Sequence, residues 1–323
     1  MVNTPSFGFV ASGLKPQGMP PPAELRRLGP RLEELGWDAV WVADRLASGD
    51  GGNPLLEGVT MAAVYAALTD RIRVGIGVLV APLRHPYLLA KQLATVDYVS
   101  EGRLIAGLGI GINPHDYYAV QVPFKERGRR VDELIPALRA AWTGGVARFE
   151  GRYYRFDNVW LEPAPFRPGG PPIWVGGTSE AALRRVGRVG DGWLAYQVSP
   201  EQIREGLSAS RREAELAGRE PDRLECALLV PVHVRADPEV ARREAQESFS
   251  RRFRRAIPAE VIERLCIAGE PGECVEKVEA FAREGVQDFI LSPQSWTRDP
   301  VADAEQLMAD LVAPARQAAA AAT

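Results

Sequence analysis

Residues 171–196 read PPIWVGGTSEAALRRVGRVGDGWLAY. The run Ile173-Trp174-Val175 is short and apolar, as a buried strand is, and it stops at Gly176-Gly177. Glu180–Val189 then spaces its apolar residues as a helix does, and Gly192–Tyr196 returns to an apolar strand. Strand, turn, helix and strand in so short a span make one βαβ unit, which implies neighbouring parallel strands.

The turn itself admits two readings. Locally, Ser179 is a helix N-cap with Glu180 in the first turn. That accounts for Ser179 but not for the Gly-Gly before it. A helix N-terminus also offers free N–H groups and a partial positive charge, and glycines let the backbone fold close around an anion. On local grounds Gly176, Gly177, Thr178 and Ser179 are better read as a seat for a phosphate.

Working outward, the same alternation runs through the chain. Ser6–Ser12, Asp38–Ala43, Arg73–Ala81 and Arg103–Gly111 are strand-like before the unit; Glu225–Val234 and Asp288–Ser292 are strand-like after it. Helical segments follow each of them, including Ala23–Leu35, Gly58–Leu68, Pro86–Ser100, Arg127–Trp142, Pro200–Ala217 and Pro238–Phe253. Pro271–Arg283 adds a further helical piece, and Ala302–Ala315 closes the series. Between the fourth and fifth strands the rhythm breaks, and Val146–Glu150 and Arg152–Phe156 read as a hairpin about Gly151, laid over one end of the fold. Eight βα units predict an α/β fold, a closed (β/α)₈ TIM barrel with insertions, as one domain over residues 1–317 and an Ala-rich tail that frays from Ala318. A doubly wound open sheet is the alternative.

Composition narrows the function class. Apolar residues at 46% and charged residues at 25% permit a large core, and a net charge of −3 gives no pull toward nucleic acid or an anionic membrane. The arginines at 251–255 alternate with acidic residues nearby, as on a solvated helix face. Cys226, Cys266 and Cys274 are odd in number and widely spaced, and His85, His115 and His233 lack ligand spacing, so neither a disulfide framework nor a metal site is expected. The N-terminus shows no signal-peptide pattern, and the longest apolar run falls far short of a membrane span. A soluble, cytoplasmic protein with a small-molecule substrate is the expectation.

In a barrel the chemistry gathers at the C-terminal ends of the strands. After the second strand stand Asp44 and Arg45, a carboxylate that could orient a ring and a guanidinium that could neutralise an anion; a local ion pair capping the loop is the plainer alternative. In the third strand Gly75 and Gly77 signal either a distortion under a flat ligand or packing in a narrow barrel. His85, before Pro86, is a candidate acid or base. After the fourth strand, GLGIGINPHDYY offers G-x-G-x-G rather than a dinucleotide fingerprint, and Pro114 stops a helix from following at once. Gly109, Gly111 and Asn113 there mark a place where backbone passes close to a cofactor. Trp193, Tyr117, Tyr118 and Trp296 are candidate aromatic walls, or simply core and rim packing.

At this point the chain resembles the luciferase-like monooxygenases and their deazaflavin-dependent relatives. The motifs are LGWDAVWVADR (35–45), GIGVLVAPLRHP (75–86), EGRLIAGLGIG (101–111), FKERGRRVDELIPALRAAW (124–142), FEGRYYRF (149–156), PPIWVGGTSEAALRRVGRVGDGW (171–193) and GEPGECVEKVEAFAREGVQDFIL (269–291). The resemblance implies a barrel that holds F420 or FMN at its C-terminal mouth, with the phosphate at Gly176–Ser179 and a non-proline cis peptide at Gly77-Val78 beneath the ring. It implies a homodimer. The family often has Asp-His after the second strand; here Arg45 stands at the histidine's place, so a carried-over histidine role falls to no residue, with His85 and His115 as substitutes. The F420-linked subgroup is the nearer likeness, which implies an F420-dependent oxidoreductase passing a hydride between the deazaflavin and an organic substrate, with Asp44 orienting and Arg45 or His85 aiding proton movement. An FMN-dependent monooxygenase and a barrel that binds flavin without turnover are the alternatives.

Overall fold

Two glycines show how tightly the interior is filled. A Cβ on Gly8 would lie 2.4 Å from Trp41 Nε1, and one on Gly75 would lie 2.3 Å from Trp41 Cδ2. Strands flanking Trp41 carry glycine because its indole occupies the space their side chains would need. The computed structural model describes residues 4–11, 19–46, 55–253, 255–293 and 299–321.

The chain runs β1 (Ser6–Val10), α1 (Pro22–Leu35), β2 (Ala39–Val42), α2 (Gly58–Leu68), β3 (Arg73–Val80), α3 (Pro86–Val99), β4 (Leu104–Gly109), α4 (Pro114–Ala119) and α5 (Arg127–Ala141). The antiparallel hairpin β5 (Val146–Glu150) and β6 (Arg155–Trp160) follows. Then come β7 (Ile173–Gly176), α6 (Glu180–Val189), β8 (Gly192–Tyr196), α7 (Pro200–Leu216), β9 (Glu225–Val234), α8 (Pro238–Phe253) and α9 (Ala259–Leu265). The chain closes with β10 (Ile267–Gly269), α10 (Pro271–Arg283), β11 (Asp288–Pro293), α11 (Pro300–Leu307) and α12 (Ala313–Ala321).

Eight strands pair in parallel in the order β1-β2-β3-β4-β7-β8-β9-β11, and β11 returns to β1. The sheet is therefore closed, which removes the open-sheet alternative and makes the fold a (β/α)₈ TIM barrel. Inside it Trp41 stacks on Trp174 with ring centroids 5.5 Å apart, packed against Ile105, Leu194 and Ile290. The larger core lies between strands and helices, where Leu28, Leu32, Leu89, Leu93 and Phe281 are fully or almost fully buried. At the floor Arg73 bonds both Asp288 and Ser6, knitting three strand starts together.

Four expectations need correction. The second hairpin strand begins at Arg155 and not Arg152, because the Glu133 carboxylate accepts the amides of Arg152, Tyr153 and Tyr154 at 2.9, 2.8 and 2.7 Å. Those amides are bound in a turn and are not free for a ladder. A helix does follow β4: Pro114 opens α4, and the Asn113 side chain accepts from the His115 amide at 3.2 Å. Proline at the first helical position loses no needed hydrogen bond. The Ala-rich tail is helical through Ala321, as alanine favours, and does not fray from Ala318. Finally, α9 and β10 are additions to the expected elements; β10 pairs with the end of β9 from Ile267↔Val232 to Gly269↔Val234.

Candidate functional site

The C-terminal ends of all eight barrel strands converge on one cavity of about 440 Å³, a size ordinary for a small-molecule site. Its floor is the irregular stretch of β3. The register with β4 shifts between Ile76 and Leu79, and the Gly77-Val78 peptide is cis. Gly75 belongs to the packing around Trp41, whereas Gly77 also lines the cavity floor, at the distortion itself.

The Val78 side chain is clasped by glycines on two neighbouring strand ends. A Cβ on Gly109 would meet its Cγ2 at 2.5 Å, and one on Gly176 would meet its Cγ1 at 2.9 Å. Gly111 has φ +62, and a Cβ there would meet Val80 Cγ1 at 2.6 Å. The glycines at the ends of β4 and β7 thus make room for the valine side chains of β3, and they line the cavity with backbone and no side chain of their own.

At the end of β7, Gly177 has φ +120, which places the chain at the start of α6. The Trp193 indole donates to the Gly177 carbonyl at 2.8 Å. A trans peptide sets C=O and N–H in opposite directions, so the Thr178 amide points away from Trp193 and the helix layer behind it. Among the described residues, the amides of Thr178 and Ser179 have no hydrogen-bond partner in the chain. Gly176, Gly177 and Thr178 line the cavity; Ser179 does not, and its hydroxyl caps α6 by accepting from the Ala182 amide at 3.3 Å. Helix α6 is anchored from behind by the buried Arg185, which donates to Asp132 at 2.7 Å and to the Gly128 carbonyl at 3.1 Å.

At the end of β2 the two adjacent charges part company. The Asp44 side chain is completely buried and both oxygens are committed: Oδ1 accepts from the Gly58 amide and Arg84 at 3.0 Å, and Oδ2 from the Val80 amide and Arg84 at 3.0 Å. Arg84 also reaches Glu57 at 2.6 Å. Burial opposes the charges of both Arg84 and Glu57, but their ion partners hold Arg84 above its ordinary value, and hydrogen bonds from Thr60 and Arg84 hold Glu57 below its own. The Asp44 carboxylate therefore ties β2, β3 and α2 together and is not free to orient a ring. Arg45 lines the cavity and has no side-chain partner among the described residues.

The remaining expected residues divide similarly. Asn113 lines the cavity beside Gly109 and Gly111. His85 does not: it caps α3 by accepting from the Tyr87 amide at 3.3 Å and sets its ring edge against Tyr154. His115 is exposed on α4, and His233 is buried within β9. Of the aromatic candidates, Trp193 and Tyr117 are buried behind the wall, Tyr118 is exposed, and Trp296 lies outside the described residues. The hairpin packs on α3 and α5 through Tyr87 and Glu133 and contributes nothing to the cavity lining. Sequence reasoning passed over Tyr196 and Gln197 at the end of β8, both of which line the cavity. Gln197 has φ 56, a conformation a non-glycine residue adopts at a cost and one enriched at functional sites; a strand-end rule points to the place but not to the residue.

Among the described residues no group of His, Cys, Asp and Glu is arranged to hold a metal, and the three cysteines are buried and form no disulfide. The cavity presents a glycine-lined floor, an amide-rich helix start with the Thr178 hydroxyl and, among the described residues, one guanidinium without a side-chain partner.

Comparison with known proteins bears on this arrangement. Residues 4–288 match the family described as luciferase-like monooxygenase. The chain is 36% identical over 168 residues to an uncharacterized protein of Mycobacterium tuberculosis, a match that spans 52% of this chain and 57% of that one. It is 29% identical over 294 residues to an F420-dependent glucose-6-phosphate dehydrogenase of Nakamurella multipartita, covering 83% of this chain and 86% of the relative. It is 30% identical over 230 residues to an FMNH(2)-dependent dimethylsulfone monooxygenase of Pseudomonas putida, covering 66% and 63%. In fold it resembles a solved F420-dependent secondary alcohol dehydrogenase, with a TM-score of 0.82 at 17% identity over 96% of this chain and 99% of that one.

Proposed function

This chain belongs to the luciferase-like monooxygenase family, and from that premise we propose that it is an F420-dependent oxidoreductase. The observation that carries the reading is the pairing of a glycine-lined floor at Gly77, Gly109 and Gly176 with amides at the start of α6 that have no partner among the described residues, all on one cavity. The floor suits a planar tricyclic ring, and the helix start suits its phosphate. F420, when bound, supplies hydride chemistry that scarcely involves oxygen. The named relative matched over the larger share of this chain is F420-dependent, which supports F420 over FMN.

The chain's own part in the reaction is binding and shaping. Gly177 and Thr178 would hold the phosphate and Asn113 would sit beside the ring. Asp44 fixes the rim through Arg84, Gly58 and Val80, so its role is structural support of β3 and not contact with the ring. A guanidinium is a cationic hydrogen-bond donor and not an acid-base group, so Arg45 supplies charge. Neither it nor His85, which stands outside the cavity, serves as the proton donor anticipated after β2.

The test is a pair of fluorescence titrations of the purified protein, one with F420 and one with FMN. Tighter binding of F420 is the expected result, with no substrate-dependent oxygen uptake in the presence of reduced FMN. Tighter binding of FMN together with such uptake overturns the proposal and makes the protein a monooxygenase, as the Pseudomonas putida relative is named.

A further inference from the structure

Three charged side chains line the cavity: Asp44, Arg45 and Asp116. Asp44 is neutralised by Arg84. Asp116 is 2% exposed and already engaged within the chain. Arg45 alone has no partner among the described residues, although it stands next in sequence to a carboxylate. The bonds that consume Asp44 are what leave Arg45 uncompensated. A guanidinium keeps its charge, so the cavity rim at β2 is permanently cationic.

The strand order sets this charge apart from the amides at the start of α6. Arg45 follows β2 and Thr178 follows β7, three places away, so their backbones stand about three strand spacings of ~4.8 Å apart along the barrel wall. On the strands flanking β2 and on the segment before α2, the cavity lining is apolar: Val10 on β1, Val80 on β3 and Leu55. A rigid planar fork beside apolar walls fits a carboxylate carried on a hydrocarbon frame.

We propose that the substrate of this barrel is a small organic carboxylate with a largely apolar body, held through its carboxylate by Arg45 at the end of β2. The proposal rests on the reading of this cavity as the reaction site. Because Arg45 is fixed in charge and cannot relay a proton, its contribution is affinity and orientation, and its loss is felt in substrate binding before it is felt in turnover.

The experiment is calorimetric titration with benzoate and with its neutral isostere benzamide, on the wild type, Arg45→Gln and Arg45→Lys, with a parallel flavin titration of each. The expected result is benzoate binding at least about tenfold tighter than benzamide in the wild type. Arg45→Gln erases that preference and Arg45→Lys keeps part of it, while the flavin affinity of Arg45→Gln stays within about twofold of wild type. The proposal is overturned if the wild type binds benzoate no better than benzamide, or if Arg45→Gln keeps the preference. It is also overturned if flavin affinity falls with benzoate affinity, since Arg45 then holds the cofactor. A wild type that binds benzoate through Arg45 but neither F420 nor FMN refutes the oxidoreductase reading and leaves the anion site standing, so the two failures are told apart.

Discussion

Asp44 carries no exposed side-chain surface and answers four donors, two backbone amides and both Arg84 terminal nitrogens. Removing one member of such a pair strands the other charge in the interior. Asp44→Asn should therefore lower unfolding stability by about 3 kcal/mol or more, while the double variant Asp44→Asn/Arg84→Gln should cost less than the sum of its single changes. Chemical denaturation of the four proteins checks this, and strictly additive costs would show that the pair is not a unit. The dipeptide Asp44-Arg45 was visible in the sequence as chemistry at a strand end, but its division of labour was not. The partner that decides it, Arg84, lies 40 positions on and is brought back by β3.

At the scale of the element, the start of α6 joins two roles in adjacent residues. Ser179 caps the helix, and Gly177 turns the chain into it. Ser179→Ala should cost about 1 kcal/mol of stability, the usual worth of a side-chain cap. Gly177→Ala forces a side chain into φ +120 and brings its Cβ within 2.9 Å of Ala182, so it should also weaken flavin binding by about tenfold or more. Unfolding curves and flavin titrations separate the effects; a Gly177→Ala protein that binds flavin as tightly as wild type would remove the phosphate seat. This element was legible because both roles are written locally, in glycines and a cap. The same holds for the eight barrel strands, whose apolar runs and flanking turns are short-range signals. What escaped were elements defined by distant partners. The hairpin strand shifted because Glu133 claims the amides of the expected strand. In α9, seven residues with one buried position, Ile262, carry too little periodicity to be seen. His85 looked chemical because of its place before Pro86, and only its bond to Tyr87 and its contact with Tyr154 show it to be a cap.

At the scale of the molecule, one buried contributor to acid sensitivity lies on β9. His233 is 2% exposed, its Nε2 has no partner among the described residues, and the Glu244 carboxylate, at 3.6 Å, is already paired with Arg235 at 2.9 Å. Burial, and then the charge of Arg235, push the imidazole down to about 4. The unfolded chain takes up that proton near pH 6.5, the folded chain only near 4, so the stability held by a neutral His233 is complete above 6.5 and is lost as the pH falls toward 4. At ~1.4 kcal/mol per unit the loss reaches about 3 kcal/mol. Urea unfolding at pH 7 and pH 4 should show the wild type losing more stability than His233→Gln by roughly that amount; equal losses would clear His233. The interior of the same barrel has an optical side. Trp41 lies directly beneath the floor, its ring 3.2 Å from where a Cβ on Gly77 would stand, and it is stacked on Trp174. A chromophore resting in the cavity is therefore separated from this indole pair by little more than one peptide layer, well inside the range over which an excited indole hands its energy to an absorbing neighbour. The tryptophan pair that fills the barrel thus doubles as a built-in donor, and its emission dims in proportion to how many molecules hold a coloured ring.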